Sequence, residues 1–270
     1  MFTTPATLIL CDAHVHFYDC FDLDHFLNSA WSNFSRQAKL TQKQDKFVAV
    51  MLLSEAKQDH WFLKLKEKQY RSTQWLIQET NEPESLYAVD KEGNSLLIIN
   101  GRQIVTSENL EVLALATPDR LEDGKPIADV IEWVQENNAI PVIPWGFGKW
   151  WGRRGRILSK VLETFSRGDV FLGDNSGRPW FLGLPDHFKK ANCEQRRILP
   201  GSDPLPFASE AWRAGSVGFY FTGCLDEAAP AKSLRAHLKD PNTNITSYMR
   251  CERLIPFVRN QVAMQVRNRM

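Results

Sequence analysis

The chain has 270 residues, 43% hydrophobic and 24% charged, which are the values of an ordinary globular protein. Its 33 Lys and Arg against 32 Asp and Glu leave a net charge of +1, giving no sign of general attraction to nucleic acid or an anionic membrane. No apolar run approaches the roughly 18 residues of a membrane span, and the opening M-F-T-T-P-A-T lacks the basic and apolar parts of a secretory signal. Cys11, Cys20, Cys193, Cys224 and Cys251 are scattered and form no C-x-x-C pair, so reduced thiols in a cytoplasmic protein are expected.

Leu8 to Phe17, L-I-L-C-D-A-H-V-H-F, is an apolar run ending in Asp12-x-His14-x-His16. Residues two apart on a strand share a face, so the spacing predicts Asp12, His14 and His16 in line at the end of a strand buried on both sides. Two such imidazoles can converge on one divalent cation; the alternative is two strand histidines bonded to backbone or water. Phe21 to Leu40 has helical spacing, 41–46 is a polar connection, and Phe47 to Leu53 reads as a second buried strand, ending at Ser54-Glu55. Residues 56–70 predict a helix with His60 at its start.

From about Thr73 to Thr106 short strand-like pieces alternate with N-E-P-E and Lys91-Glu92-Gly93-Asn94, which predicts an antiparallel hairpin excursion too small to be a domain. Buried strands follow at Leu110 to Ala116, Ala139 to Pro144, Val170 to Gly173, Arg197 to Pro200 and Val217 to Thr222. Helices are expected at Ile127 to Asn138, Ile157 to Phe165, Ala231 to Leu238 and Ser247 to Val266. Alternation of this kind, with about seven buried strands, predicts a single domain over 1–270: a closed or nearly closed TIM-like α/β barrel with a hairpin insertion at about 73–106. The rival, an open doubly wound sheet, lacks the Gly-rich fingerprint after its first strand.

Strand ends meet at one mouth in such a barrel, which would gather His14, His16, Glu55, Gln103, Trp145, Asp174, Asn175 and Asp203. Gly201-Ser202-Asp203-Pro204 ends a buried strand, where a carboxylate can bind metal or take a proton; the plainer reading of Asp203 is a cap or turn. The stretch Gly146 to Arg156 places Lys149 and three Arg, Arg153 among them, before a helix. It reads as a phosphate or carboxylate site, or as a solvated loop whose Arg stack on Trp145, Trp150 and Trp151. Asp174-Asn175 with Arg178 could hold a second metal or a substrate hydroxyl, although turn chemistry alone explains D-N-S-G. His25, His60, His187 and His237 have no partner spacing, and no G-x-S-x-G elbow is present.

The run D-A-H-V-H at 12–16, together with G-S-D at 201–203, resembles the PHP (polymerase and histidinol phosphatase) family of metal-dependent hydrolases. The resemblance implies a distorted seven-stranded barrel, a cluster of divalent ions at its mouth, and phosphoester hydrolysis by metal-activated water. His14 and His16 match the opening pair and Asp203 the late aspartate. Gln103 stands where the family has a glutamate, and Trp145 and Leu205 stand where it has histidines. Ligands therefore remain for one well-held ion or none.

The leading expectation is a hydrolase acting on a phosphoester or other anionic small molecule, with zinc, manganese or iron on His14, His16 and Asp203. Asp203 and Glu55 would be catalytic, and Lys149, Arg153, Arg178, Asn175 and Trp145 would bind substrate. No nucleic acid or membrane partner is expected. The alternatives are a degenerate barrel that binds a small molecule or partner, and an amidohydrolase-type enzyme cutting C–N or C–O bonds.

Overall fold

The N-terminal apolar run forms β1 (Thr7–Val15), whose Leu8 and Leu10 face one core and whose Ile9, Cys11 and Ala13 face another. A strand covered on both sides reads as an unbroken apolar run, because neither face meets water. The computed structural model describes residues 6–42, 46–175, 177–249 and 252–267. Residues 43–45 of the polar connection, Ser176, Cys251 and the first five residues lie outside the described residues.

The remaining elements are α1 (Leu23–Gln42), β2 (Phe47–Leu53), α2 (Trp61–Lys66), β3 (Trp75–Glu79), β4 (Ser85–Asp90), β5 (Ser95–Ile99), β6 (Gly101–Val105) and β7 (Glu111–Leu115). They continue with α3 (Ile127–Glu136), β8 (Ile140–Pro144), α4 (Gly152–Thr164), β9 (Phe171–Gly173), α5 (Asp186–Cys193), β10 (Gly218–Gly223), α6 (Pro230–Lys239), β11 (Thr246–Tyr248) and α7 (Leu254–Arg267). Short 3-10 segments lie at Trp180–Leu182 and Ala208–Arg213.

These strands form two mixed sheets, one of seven in the order β11-β10-β1-β2-β5-β4-β3 and one of four in the order β6-β7-β8-β9. The expected closed (β/α)7 barrel is not formed. Among the described residues the parallel ladders are β1 with β2, β2 with β5, and β8 with β9; the other ladders are antiparallel. Between the sheets an isolated bridge joins Glu55, just past β2, to Arg102 of β6, while the 198–201 segment bridges the β9 side through Leu172 with Ile198 and Asn175 with Gly201. Alternating buried runs do not distinguish parallel from antiparallel neighbours when every strand is covered on both faces, which is why periodicity misread the closure.

Three apolar layers hold the sheets. Leu8, Leu10, Met51 and Leu96 pack under Phe26, Leu27 and Phe34 of α1. Ile9, Val50, Leu97, Leu115, Val142 and Phe171 fill the space between the sheets, together with Leu234 of α6. Val112, Ala114, Ile143 and Leu172 meet α3, α4 and α5 through Val130, Leu158 and Phe188.

Several elements differ from their expected bounds. The helix expected over 56–70 is only Trp61–Lys66, because the chain turns at Lys57 and Gln58 before it starts. Helix α4 begins at Gly152, so Arg153, Arg154 and Arg156 are helical and not part of a loop. The long helix expected from Ser247 splits into β11, which pairs with β10, and α7. The stretch from 75 to 99 is antiparallel, as expected, but its third strand pairs in parallel with β2 and so belongs to the main sheet. Helix α5 and the 3-10 turn at Ala208–Arg213 lie where no element was expected.

No helix among the described residues is long and apolar enough to cross a membrane. Cys11, Cys20 and Cys193 are free thiols.

Candidate metal centre

The pairing register of β1 with β2 shifts between Asp12 and Val15. A bulge of this kind breaks the simple alternation of faces. Val15 joins the core beneath α1, on the side of Leu8 and Leu10, although its odd number would place it opposite. Asp12, His14 and His16 are therefore not three equivalent positions on one face. The Asp12 carboxylate instead accepts the backbone N–H groups of Ser202 and Gly215, each at 2.8 Å, and of His14 at 3.3 Å. Burial pushes its pKa up to about 6, against the opposing pull of those hydrogen bonds. Asp12 thus ties β1 to two later loops.

His14 lies within the shifted stretch and His16 beyond it, both buried, with their Nε2 atoms 3.0 Å apart. Asp203 Oδ1 lies 3.6 Å from each of these nitrogens. The three ligand atoms all fall within 4.8 Å of one another. For donors at metal bond lengths near 2.0–2.2 Å in tetrahedral directions, neighbouring ligand atoms stand ~3.3 Å apart. The observed separations bracket that value, and two imidazoles with a carboxylate suit zinc, manganese or iron. The residues present fit one divalent ion. Gln103 Oε1 adds a neutral oxygen 3.2 Å from His14 Nε2.

Burial and the neighbouring His14 lower the pKa of His16 to about 4, against the pull of Asp203. Its Nδ1 is buried with no hydrogen-bond partner among the described residues. Burial alone would raise the Asp203 carboxyl, but His14, His16, Lys149 and Arg213 outweigh it and hold the pKa below the ordinary value. At neutral pH the centre therefore offers a neutral His16 and an ionised Asp203.

Asp203 arrives on a segment stitched to both sheets. Leu199 N–H donates to Leu172 O at 2.8 Å and Gly201 N–H to Asp174 O at 3.0 Å, while Ala13 N–H donates to Pro200 O at 3.1 Å and Asp203 N–H to His14 O at 2.8 Å. Asp203 has φ +45°, in the left-handed region. Its Oδ2 accepts from Asn175 Nδ2 at 2.8 Å. The same nitrogen donates to Trp145 O at 2.8 Å.

A cleft of about 300 Å³ opens beside Asp203, with Trp145, Phe147, Lys149, Asn175, Arg213 and Phe257 among its lining residues. Asp203, Asn175, Trp145 and Lys149 are thus brought together, with Lys149 ion-paired to Glu111. Arg213, which gave no signal in the sequence, pairs with Glu210 and with Glu252.

Glu55, Arg153 and Arg178 do not line this cleft. Glu55 Oε1 accepts Phe62 N–H at 2.6 Å, and Oε2 pairs with Arg102 at 3.0 Å, both within the core. Arg178 grips Asp174 through Nε and Nη2 at 2.8–3.2 Å and donates to Gly183 O at 2.9 Å. Arg153 is exposed on α4.

The fold has relatives among solved structures. PsfC from Pseudomonas syringae PB-5123 superposes with a TM-score of 0.55 at 12% identity, covering 96% of this chain and 99% of that one. The lesion-specific endonuclease PfuEndoQ from Pyrococcus furiosus superposes with a TM-score of 0.50, also at 12% identity, covering 89% of this chain and 58% of that one. No protein-family model matches the chain, and no curated protein matches it by sequence. The likeness is one of fold. It nonetheless corrects one expectation: a neighbour of this fold is an endonuclease, so the exclusion of nucleic acid does not stand. A net charge near zero reports on diffuse attraction over the whole surface and says nothing about recognition at one cleft.

Proposed function

We propose that this chain is a divalent-metal-dependent hydrolase of phosphoesters on a PHP-like scaffold, working as a single domain over 1–270. The observation that carries the reading is the convergence of His14, His16 and Asp203 from two distant parts of the sequence onto one point at the edge of a cleft. A divalent ion held there would supply an activated water near neutral pH and polarise the phosphoryl oxygen.

The protein's own groups supply the rest. His16 stays neutral well below neutral pH and so keeps a lone pair for the ion. Asp203, kept ionised, supplies negative charge at the same point and is the carboxylate that joins the histidines to the cleft. Lys149, ion-paired to Glu111 but 33% exposed, is a cation placed to meet a substrate anion, and Trp145 and Phe147 shape the wall beside it. Glu55 and Arg178 serve the scaffold, since their charged ends are already engaged by core partners. The substrates to examine include small phosphomonoesters and nucleic-acid phosphodiesters, the latter because the fold neighbour PfuEndoQ is an endonuclease.

The deciding experiment measures metal content in protein purified without chelator, then hydrolysis of a phosphomonoester, phosphodiester and oligonucleotide panel by wild type and His16→Ala. Metal-dependent turnover that vanishes with His16→Ala is expected. Wild-type protein that binds neither zinc nor manganese, and turns over nothing, would leave a binding module in place of the enzyme.

A further inference from the structure

We propose that Asn175 is a positioning residue for the metal centre, holding Asp203 so that a single carboxylate oxygen faces the two histidines. The inference rests on the metal-hydrolase reading for its purpose, but its geometry stands by itself. The Asn175 side chain is nearly buried and engaged at both ends. Its Nδ2 donates to Trp145 O and to Asp203 Oδ2, each at 2.8 Å, and its Oδ1 accepts the N–H of Gly177 at 3.2 Å. Two oxygens on the nitrogen side and an N–H on the oxygen side fix which way the amide points.

Asp203 needs such a strut. Its backbone lies in the left-handed region, which an L side chain rarely adopts and which persists only where surrounding contacts over-determine it. The Asp203 N–H to His14 O bond anchors the main chain, and the Asn175 bond to Oδ2 sets the side-chain rotation. With Oδ2 occupied, Oδ1 is the oxygen left to approach His14 and His16. Asn175 also bridges elements: its backbone pairs with Gly201 and its amide reaches Trp145, just past β8. A group that orients a ligand in this way typically changes metal affinity by about 10–100-fold when removed. With both N–H bonds committed and the oxygen turned to Gly177, Asn175 is built to support Asp203.

The test is a double-mutant cycle. Zinc affinity is measured by competition with a chromophoric chelator for wild type, Asn175→Ala, Asp203→Ala and the double variant, and visible spectra of the cobalt forms are recorded. Asn175→Ala should weaken zinc binding by about 10–100-fold and shift the cobalt bands towards those of Asp203→Ala, while adding nothing in the Asp203→Ala background. Unchanged affinity and spectrum in Asn175→Ala, or an equal loss in both backgrounds, would overturn the assignment. If Asn175→Ala does not fold, the near-isosteric Asn175→Asp takes its place, with the same weakening expected from an oxygen set against Asp203 Oδ2. Should wild-type protein bind no zinc, the hydrolase reading fails separately. Crystal structures of the metal-free variant then decide the strut: Asp203 swung away from the histidines supports it, and Asp203 unmoved refutes it.

Discussion

Gly201 lies so close to His14 that a Cβ at position 201 would stand 2.3 Å from the His14 backbone nitrogen and 2.4 Å from its Cβ. Both contacts are with rigid parts of β1, so nothing flexible can yield. Gly201→Ala is expected to push the Asp203 segment off β1, costing about 1–3 kcal/mol as overpacking does, and to weaken zinc binding in the same variant. Urea denaturation with a parallel zinc titration checks this, and a variant with wild-type values in both would contradict the close packing.

His16 gives a pH prediction. Its folded pKa of about 4 lies below the 6.5 of an unperturbed imidazole, so between these values the unfolded chain holds more protons than the folded one. Stability from this group is fully present above about 6.5 and is lost as pH falls towards about 4. Asp12 acts in the opposite sense, since its raised pKa of about 6 favours the fold towards acid. The two contributions separate in single variants. His16→Ala should reduce the loss of stability between pH 6.5 and pH 4, and Asp12→Asn should remove a loss that sets in as pH rises towards about 6. Thermal melts across this range give the slopes directly; identical slopes in all three proteins would rule out both shifts.

Glu55 and Arg102 form a buried ion pair, each about 5% exposed or less at the side chain. Removing one partner leaves an uncompensated charge, so Glu55→Ala should destabilise the protein by about 3–5 kcal/mol. Zinc affinity of the folded fraction should stay at the wild-type level, because both carboxylate oxygens are engaged away from the histidines. A large loss of zinc affinity without loss of stability would restore Glu55 as a ligand.

Lys149 and Arg153 divide the basic stretch between the cleft and open solvent. Lys149→Ala should weaken inhibition by phosphate or sulfate by about 1.5–3 kcal/mol, the worth of a charged hydrogen bond. Arg153→Ala should change it by less than about 0.5 kcal/mol, as an exposed substitution away from the site. Equal effects from both would place the anion on the outer face of α4.

Most of the buried strands and main helices were legible in the sequence because apolar runs report burial directly: Phe47 to Leu53 and Ile127 to Glu136 appear almost at their expected bounds, whereas the strand expected at Arg197 to Pro200 is reduced to an isolated bridge at Ile198. His14, His16 and Asp203 were legible as a group because polar residues closing apolar runs stand out. Pairing direction was not, since β10 runs antiparallel to β1 with the same apolar pattern that a parallel strand would show. The break at Asp12 was hidden too: D-A-H-V-H alternates cleanly, and only contact with the 200–203 segment and β2 reveals the shift. Glu55 also stands at a strand end, and its engagement was hidden because Arg102, the partner that holds its carboxylate, lies 47 residues away.

The segment from Ile198 to Asp203 is hydrogen-bonded to β9 on one side and to β1 on the other, at a place where the two sheets have no continuous ladder of their own. It behaves mechanically as a zip between two plates. Amide exchange at Leu199, Gly201 and Asp203 therefore reports whether the plates are fastened, and an ion shared by His14, His16 and Asp203 would act as a rivet through the zip. Loading zinc should slow exchange along this strip and leave the distant β3–β4 hairpin untouched, so that ligand occupancy is read as stiffness at a seam.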